Sequence, residues 1–278
     1  ELEGAYYFRT LDDYLVLSRA PEGKAILVVG GGFIGSEVAA ALSMHGAHVT
    51  MIFPERRLLE RVFPAALADV IQERYEQRGV RILSEDAPVS FAPRGGSLAV
   101  ETRRGEHLAC DSIVVGAGIE PEVGLALSAG LVVENGIEVN ELLESSVPGI
   151  FAAGDNANFP YQALGKRMRV EHWDNAVSQG KAAGRNMAGA KEPFDYMPYF
   201  FSDLFDFGYE AVGDVSSSLT TYADWQEENE TGVVYYLEDG RVRGVMLCNI
   251  WGKLDEARAL ISSGIRVSEH DLLGAVHA

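Results

Sequence analysis

The segment ILVVGGGFIGSEVAAAL, residues 26–42, constrains this chain more than any other stretch. Its opening residues, 26–29, are an unbroken apolar run of the kind that suits a strand buried on both faces. Gly30, Gly32 and Gly35 follow in G-x-G-x-x-G spacing. A helical pattern starts at once, with Ile34, Val38, Ala41 and Leu42 on one face. Each glycine answers a separate steric need. Gly30 permits the tight turn off the strand, Gly32 lets a pyrophosphate approach the backbone, and Gly35 lets the helix pack closely on the strand. The N–H groups and positive dipole end of the new helix then face the phosphates. Phe33 and Ile34, inside the motif, join the glycines as cofactor-binding candidates. A strand before and a helix after distinguish this pattern from a plain glycine-rich turn.

Residues 49–53 read as a second apolar strand, closed by Pro54-Glu55-Arg56-Arg57. In a dinucleotide-binding unit an acidic residue roughly 20 positions on takes the adenosine ribose hydroxyls. Glu55 stands 25 positions past Gly30. A carboxylate there repels a 2′-phosphate and favours NAD, whereas Arg56 and Arg57 would welcome the phosphate of NADP; a solvated loop is the plain alternative. A helix is expected within 58–78, with Val62, Leu67, Val70, Ile71 and Tyr75 facing inward. A strand at 80–83, a hairpin over 88–102 turning at Arg94-Gly95-Gly96-Ser97, and a last strand at 112–116 follow. Upstream, Thr10 is expected to cap a short helix from Leu11 to about Arg19, with Asp12 and Asp13 in its first turn. Residues 24–116 thus complete a β-α-β-α-β unit with a β-meander.

The loop Gly116-Ala117-Gly118-Ile119-Glu120-Pro121 leads into a short helix at 123–129 and an extended pair at 131–139 around Asn135-Gly136. Residues 150–153 are expected to form a short buried strand ending at Gly154-Asp155. A carboxylate at the carboxyl end of a parallel strand could accept from a ribityl or ribose hydroxyl; a simple Asx turn is the alternative. Residues 174–189 read as a helix with Ala176, Val177, Gly180, Ala183, Gly184 and Met187 along a small-residue face. Glu171-His172-Trp173 precede it, so an imidazole, an indole and free backbone N–H groups meet at an end that can stabilise negative charge on a flavin ring. A core Trp beside a surface His is the competing reading.

Beyond a linker at 190–193 the character changes. Phe194, Tyr196, Tyr199, Phe200, Phe201, Phe205, Phe207 and Tyr209 form a dense aromatic group. Strands are expected at 210–215, 219–222, 232–237 and 242–247, with an Asp239-Gly240 hairpin signal, and a helix at 253–263 before Gly264. This is a small α+β domain whose aromatics supply core, and whose surplus aromatic surface would suit a homodimer interface.

The chain of 278 residues suffices for two or three domains. Its net charge of −18, from 41 acidic and 23 basic residues, repels phosphate backbones and argues against nucleic acid as a partner. No apolar run reaches membrane-span length. Cys110 and Cys248 form no C-x-x-C, which suits a reducing cytoplasm. The chain starts at Glu1, so a piece of something longer is expected.

Several segments together carry a likeness: YYFRTLDD, VVGGGFIGSEVA, GIFAAGDNA, RVEHWDNAVSQGKAAGRNM and PYFFSDLFDFGYEAVGD, in order and over almost the whole chain. The sequence resembles the two-dinucleotide flavoprotein reductases of the FAD-dependent pyridine nucleotide-disulfide oxidoreductase superfamily, within them the ferredoxin reductase and apoptosis-inducing-factor branch. The resemblance implies an α/β fold: a Rossmann-like NAD(P)-binding domain with lead-in at 1–116, the second half of an FAD-binding domain at 117–193, and a C-terminal α+β interface or dimerisation domain at 194–278. It implies that Gly30, Gly32 and Gly35 hold the NAD pyrophosphate and that Glu55 holds the ribose. Glu37 would sit near the nicotinamide amide and Trp173 near the nicotinamide–flavin stack, the two catalytic candidates. Asp155 would bond the flavin side chain, with Gly118, Gly154, Glu171 and His172 as further cofactor contacts.

The implied chemistry is hydride transfer from NADH to FAD, then electron transfer to a ferredoxin, rubredoxin or similar small protein. A non-catalytic NAD-binding module of the apoptosis-inducing-factor kind is the alternative. Against a disulfide reductase, the NAD unit holds no C-x-x-C and the terminal SEHDLLGAVHA lacks a His-Pro motif. The sequence departs from the family in two ways: no G-x-G-x-x-G unit for FAD stands before residue 24, and the Lys that pairs with Glu37 is missing. A truncated chain is therefore expected.

Overall fold

The structure, a computed structural model, describes residues 2–19 and 21–276. The chain divides into two compact units. The first comprises Glu1–Gly118, Ser202–Gly208 and Ser216–Ser218; the second comprises Ile119–Phe201, Tyr209–Val215 and Leu219–Ala278.

The first unit runs β1 (Ala5–Tyr6), α1 (Leu11–Leu17), β2 (Ala25–Val29), α2 (Phe33–Met44), β3 (His48–Ile52), α3 (Ala65–Gln77), β4 (Arg81–Leu83), β5 (Pro88–Arg94), β6 (Ser97–Thr102), β7 (His107–Cys110) and β8 (Ser112–Val115). Its main sheet has the order β1-β8-β2-β3-β4 and is parallel throughout. The chain leaves β2 towards β3 and β4, then returns to β8 on the other side. That reversal creates a switch point at the carboxyl end of β2, where such sheets bind ligands. The strands are apolar because both faces are covered: Leu27, Val28, Met51, Ile52 and Val114 are fully buried. The expected hairpin forms as β5 and β6, and β7 extends it into an antiparallel sheet.

Helix α1 starts where Thr10 predicts. The Asp13 amide donates to Thr10 Oγ1 at 3.2 Å and the Thr10 amide donates to Asp13 Oδ2 at 2.8 Å, a reciprocal capping box. Helix α3 begins later than the apolar pattern alone suggests. Pro64 precedes its first residue, so Val62 lies in a turn, while Leu67, Ile71 and Tyr75 are buried as expected.

The second unit holds α4 (Gly124–Ser128), β9 (Ile137–Glu138), β10 (Ala157–Tyr161), β11 (Lys166–Arg169), α5 (Trp173–Met187), β12 (Tyr199–Leu204), β13 (Phe207–Gly213), β14 (Thr220–Glu227), β15 (Thr231–Glu238), β16 (Arg241–Cys248), α6 (Leu254–Ser263) and α7 (Glu269–Leu272), with Ser202–Gly208 of the β12–β13 turn belonging to the first unit. Strands β9, β10 and β11 make one small sheet, and β12-β13-β16-β15-β14 another. Val139, Leu143, Phe159 and Tyr161 share a single core with Phe194, Val233, Tyr235, Val245 and Ile261. The segments 117–193 and 194–278 are thus joined by common packing. Gly264 ends α6 in the left-handed conformation at φ +59°, as its position predicts.

One expectation fails here. Residues 150–153 do not form a buried strand: Phe151 makes a single bridge to Glu144, and Ile150 is 38% exposed. The helix expected at 174–189 forms as α5, and amides make up much of its inward face. Asn175, Gln179 and Asn186 are buried beside Ala182 and Ala183, whereas Gly180, Gly184 and Met187 are exposed. The amides have local work: Gly154 N–H donates to Gln179 Oε1 at 2.8 Å, and Asn175 Nδ2 donates to the Val170 carbonyl at 2.9 Å. Among the described residues no helix is long and apolar enough to cross a membrane.

Candidate functional site

In the first unit the motif glycines form a close three-way contact. Gly30 adopts φ +119°, in the left-handed region that favours glycine. A Cβ there would stand 2.4 Å from the Gly116 carbonyl oxygen. A Cβ on Gly35 would stand 2.1 Å from the Gly30 carbonyl oxygen, and one on Gly116 2.9 Å from the Gly35 nitrogen. The end of β2, the first turn of α2 and the end of β8 therefore meet through backbone alone. Gly32 differs: a Cβ on it would meet nothing within 4 Å. The start of α2 has no side-chain cap. Open space above an uncapped helix start is the room a phosphate needs. Phe33 is half-buried and Ile34 exposed beside it.

Two further glycines matter that the motif reading missed. A Cβ on Gly31 would stand 2.7 Å from the Phe53 ring, and Gly116 closes the contact just described. The run of three glycines was the available signal for Gly31; Gly116 sits at the matching end of β8. Gly118, two residues on, has φ +101° and open space around its Cα.

Glu55 stands three residues past the end of β3 and is half-buried. Arg61 Nη2 pairs with its Oε1 at 2.8 Å. Arg57 is held by Asp69 and by Glu60, the latter at 3.6 Å, while Arg56 is exposed. Glu37 lies on α2, beyond Gly35. Ser202 Oγ donates to its Oε1 at 2.5 Å. The carboxylate reaches solvent, yet the protein crowded around it raises its pKa above the usual range; the Ser202 bond opposes this, and the negative charge of Asp203 adds to it.

In the second unit Gly154 and Asp155 form a 3-10 turn against the first turn of α5. Gly154 has φ +78°, and a Cβ on it would lie 3.4 Å from Ala176 Cβ. Asp155 is half-buried, and Arg169 Nη1 donates to its carbonyl at 3.0 Å while pairing with Glu171 at 2.5 Å. Helix α5 starts at Trp173 with no side-chain cap, and Trp173 is 74% exposed. The His172 ring stacks on Phe200 with centroids 4.3 Å apart. Burial pushes its pKa down to about 4, against a smaller pull upward from Asp174, so the imidazole is neutral near pH 7. A cavity of about 210 Å³ opens beside it, lined by Tyr161, Met168, Arg169, Glu171, His172 and Phe200 among others. The structure thus gathers Glu171, His172 and Trp173 at one helix end, as the sequence suggests, and brings Gly154 and Asp155 there too, although no sheet strand carries Asp155.

Residues 1–180 match the family described as pyridine nucleotide-disulphide oxidoreductase, and residues 183–231 match the C-terminal region of mitochondrion-associated apoptosis-inducing factor. The chain is 35% identical to a ferredoxin–NAD(+) reductase component of an anthranilate 1,2-dioxygenase system from Burkholderia cepacia, over 94% of this chain and 64% of that protein. It is also 35% identical to a mitochondrial apoptosis-inducing factor 1 from Dictyostelium discoideum, over 91% of this chain and 52% of that protein. The putidaredoxin reductase–putidaredoxin complex contains a chain of the same fold, with TM-score 0.88 and 30% identity over 97% of this chain and 66% of that one. The chain therefore spans about half to two thirds of the length of these relatives. An α/β fold built on a glycine-lined switch point and matched over residues 1–180 places the chain in the pyridine nucleotide-disulphide oxidoreductase family.

Proposed function

We propose that this chain is the nucleotide-binding and electron-transfer portion of an NAD(P)H-dependent flavoprotein reductase that passes electrons to a small electron-transfer protein. The observation that carries the reading is the contrast between Gly35, sterically locked, and Gly32, open beside an uncapped helix start. Gly30, Gly32, Phe33, Ile34 and Gly35 would hold the NAD pyrophosphate. Glu55 would take the adenosine ribose, with Arg61 keeping its carboxylate in place. Arg57 is engaged by acidic neighbours, which supports NAD over NADP.

The second unit offers features that would suit a flavin: Asp155 stands beside an uncapped helix, Trp173 is exposed, and Gly154, Glu171 and His172 would supply further contacts, with Gly118 a candidate contact from the first unit. Flavin, when bound, accepts hydride and releases electrons singly. Within the protein, Glu37 would orient the nicotinamide amide. The amino end of α5 would stabilise negative charge on the flavin, and Trp173 would lie beside the ring. In this proposal residues 1–116 would serve NAD, 117–193 part of the FAD site, and 194–278 an interface suited to a homodimer. A reducing, cytoplasmic setting belongs to the same proposal; Cys110 and Cys248 are buried free thiols, and burial pushes Cys110 up to about 11.

The match of 183–231 to the apoptosis-inducing-factor C-terminal region favours a second reading, a non-catalytic NAD-binding module. The visible absorption spectrum of the protein carrying this chain, before and after FAD and then NADH, separates the two. The reductase reading expects a flavin band that NADH bleaches. NADH binding with no bleachable flavin supports the second reading, and a protein that binds neither overturns both.

A further inference from the structure

Ser202 and Glu37 are 165 residues apart, yet their side chains meet at 2.5 Å within the first unit. Strand β12 alternates across this position: Phe201 and Asp203 are exposed, whereas Ser202 and Leu204 are buried, at 3% and 1% exposure. A hydroxyl on the inward side of a strand needs a hydrogen-bond acceptor, and the Glu37 carboxylate supplies it. We propose that Ser202 is the positioning residue for Glu37, fixing the orientation of its carboxylate as an acceptor for the carboxamide N–H of a nicotinamide nucleotide. The inference rests on the nucleotide reading given above.

The surroundings make that contact consequential. Crowding by protein favours the neutral acid, and Asp203 on β12 pushes the same way. The Tyr75 hydroxyl on α3 is also near enough to feel the Glu37 charge, but it donates to the Ser36 carbonyl at 2.9 Å and so gives Glu37 no hydrogen bond. Ser202 is the group that opposes protonation. A protonated Glu37 would lose acceptor capacity towards an amide. Ser202 therefore acts through Glu37 rather than on the nucleotide itself.

The test pairs two readouts on Ser202→Ala, Ser202→Thr and Glu37→Gln. One is the carboxyl titration of Glu37 by carbon NMR, assigned with Glu37→Gln; the other is NADH affinity across the acid-to-neutral range. Ser202→Ala is expected to move the Glu37 midpoint upward and to move the acid limb of NADH binding with it, while Ser202→Thr restores both. Glu37→Gln should abolish the limb, and a limb that survives it overturns the proposal even if Ser202→Ala folds poorly. An unmoved midpoint in Ser202→Ala with NADH binding intact overturns the role of Ser202 alone. A midpoint that moves while no form binds NADH removes the nucleotide reading, and this assignment with it.

Discussion

The carbonyl oxygen of Gly30 faces the Cα of Gly35 so closely that a Cβ on Gly35 would stand 2.1 Å from it. Both sides of that contact are backbone, so neither can swing aside. Gly35→Ala should destabilise the first unit by roughly 1–3 kcal/mol or more, read as a lower denaturant midpoint. Unchanged stability would show that α2 can lift off β2 freely.

Glu55 is expected to hold the adenosine ribose through charge-assisted hydrogen bonds. Glu55→Ala should weaken NADH binding by about tenfold, the scale of one such bond. NADPH affinity should fall less, because the lost carboxylate also stops repelling the 2′-phosphate. Equal NADH affinity in the variant, measured by fluorescence titration, would remove Glu55 from the site.

His172 makes stability depend on pH. Its folded pKa is depressed from 6.5 to about 4, so between those values the unfolded chain takes up a proton that the folded chain refuses. Stability is therefore full above pH 6.5 and falls as pH drops towards about 4. His172→Phe keeps a ring against Phe200 and should flatten that part of the pH–stability curve. A slope of the same size in the variant would assign it to another group.

The Ser202–Gly208 segment is tied into the first unit by aromatic packing. Phe207 is fully buried, meets Phe63 edge-on at 6.3 Å, and lies under the Arg74 guanidinium at 5.6 Å. Phe205 meets Tyr75 at 4.9 Å, and Asp206 pairs with Arg78 at 2.8 Å. Phe207→Ala should cost about 3–5 kcal/mol. It should also release the hold of Ser202 on Glu37, visible as a raised carboxyl midpoint.

The glycine motif was legible because its physics is local: three motif glycines, one strand and one helix lie within a span of 20 residues. The capping box at Thr10 and the hairpin over 88–102 were readable for the same reason. What escaped reading depends on residues far apart. Gly31 is required by Phe53, Ser202 by Glu37, and the amide face of α5 by Gly154 and Val170. Strand-like apolarity at 150–153 misled because a short apolar run needs paired neighbours, and among the described residues Phe151 bridges only Glu144. The β10–β11 hairpin was missed because ANFPY and KRMR carry little alternation and the turn between them lacks a two-residue signal.

Gly32→Ala tests the central claim most directly, through NADH titration together with thermal unfolding. The added methyl meets nothing in the folded chain, so the melting temperature should fall by no more than roughly 2–4 °C, the scale of losing a favourable N-cap residue. If a pyrophosphate occupies that space, NADH affinity should fall by about tenfold or more. Wild-type affinity in Gly32→Ala, at wild-type stability, would mean that the open glycine loop does not cradle the dinucleotide.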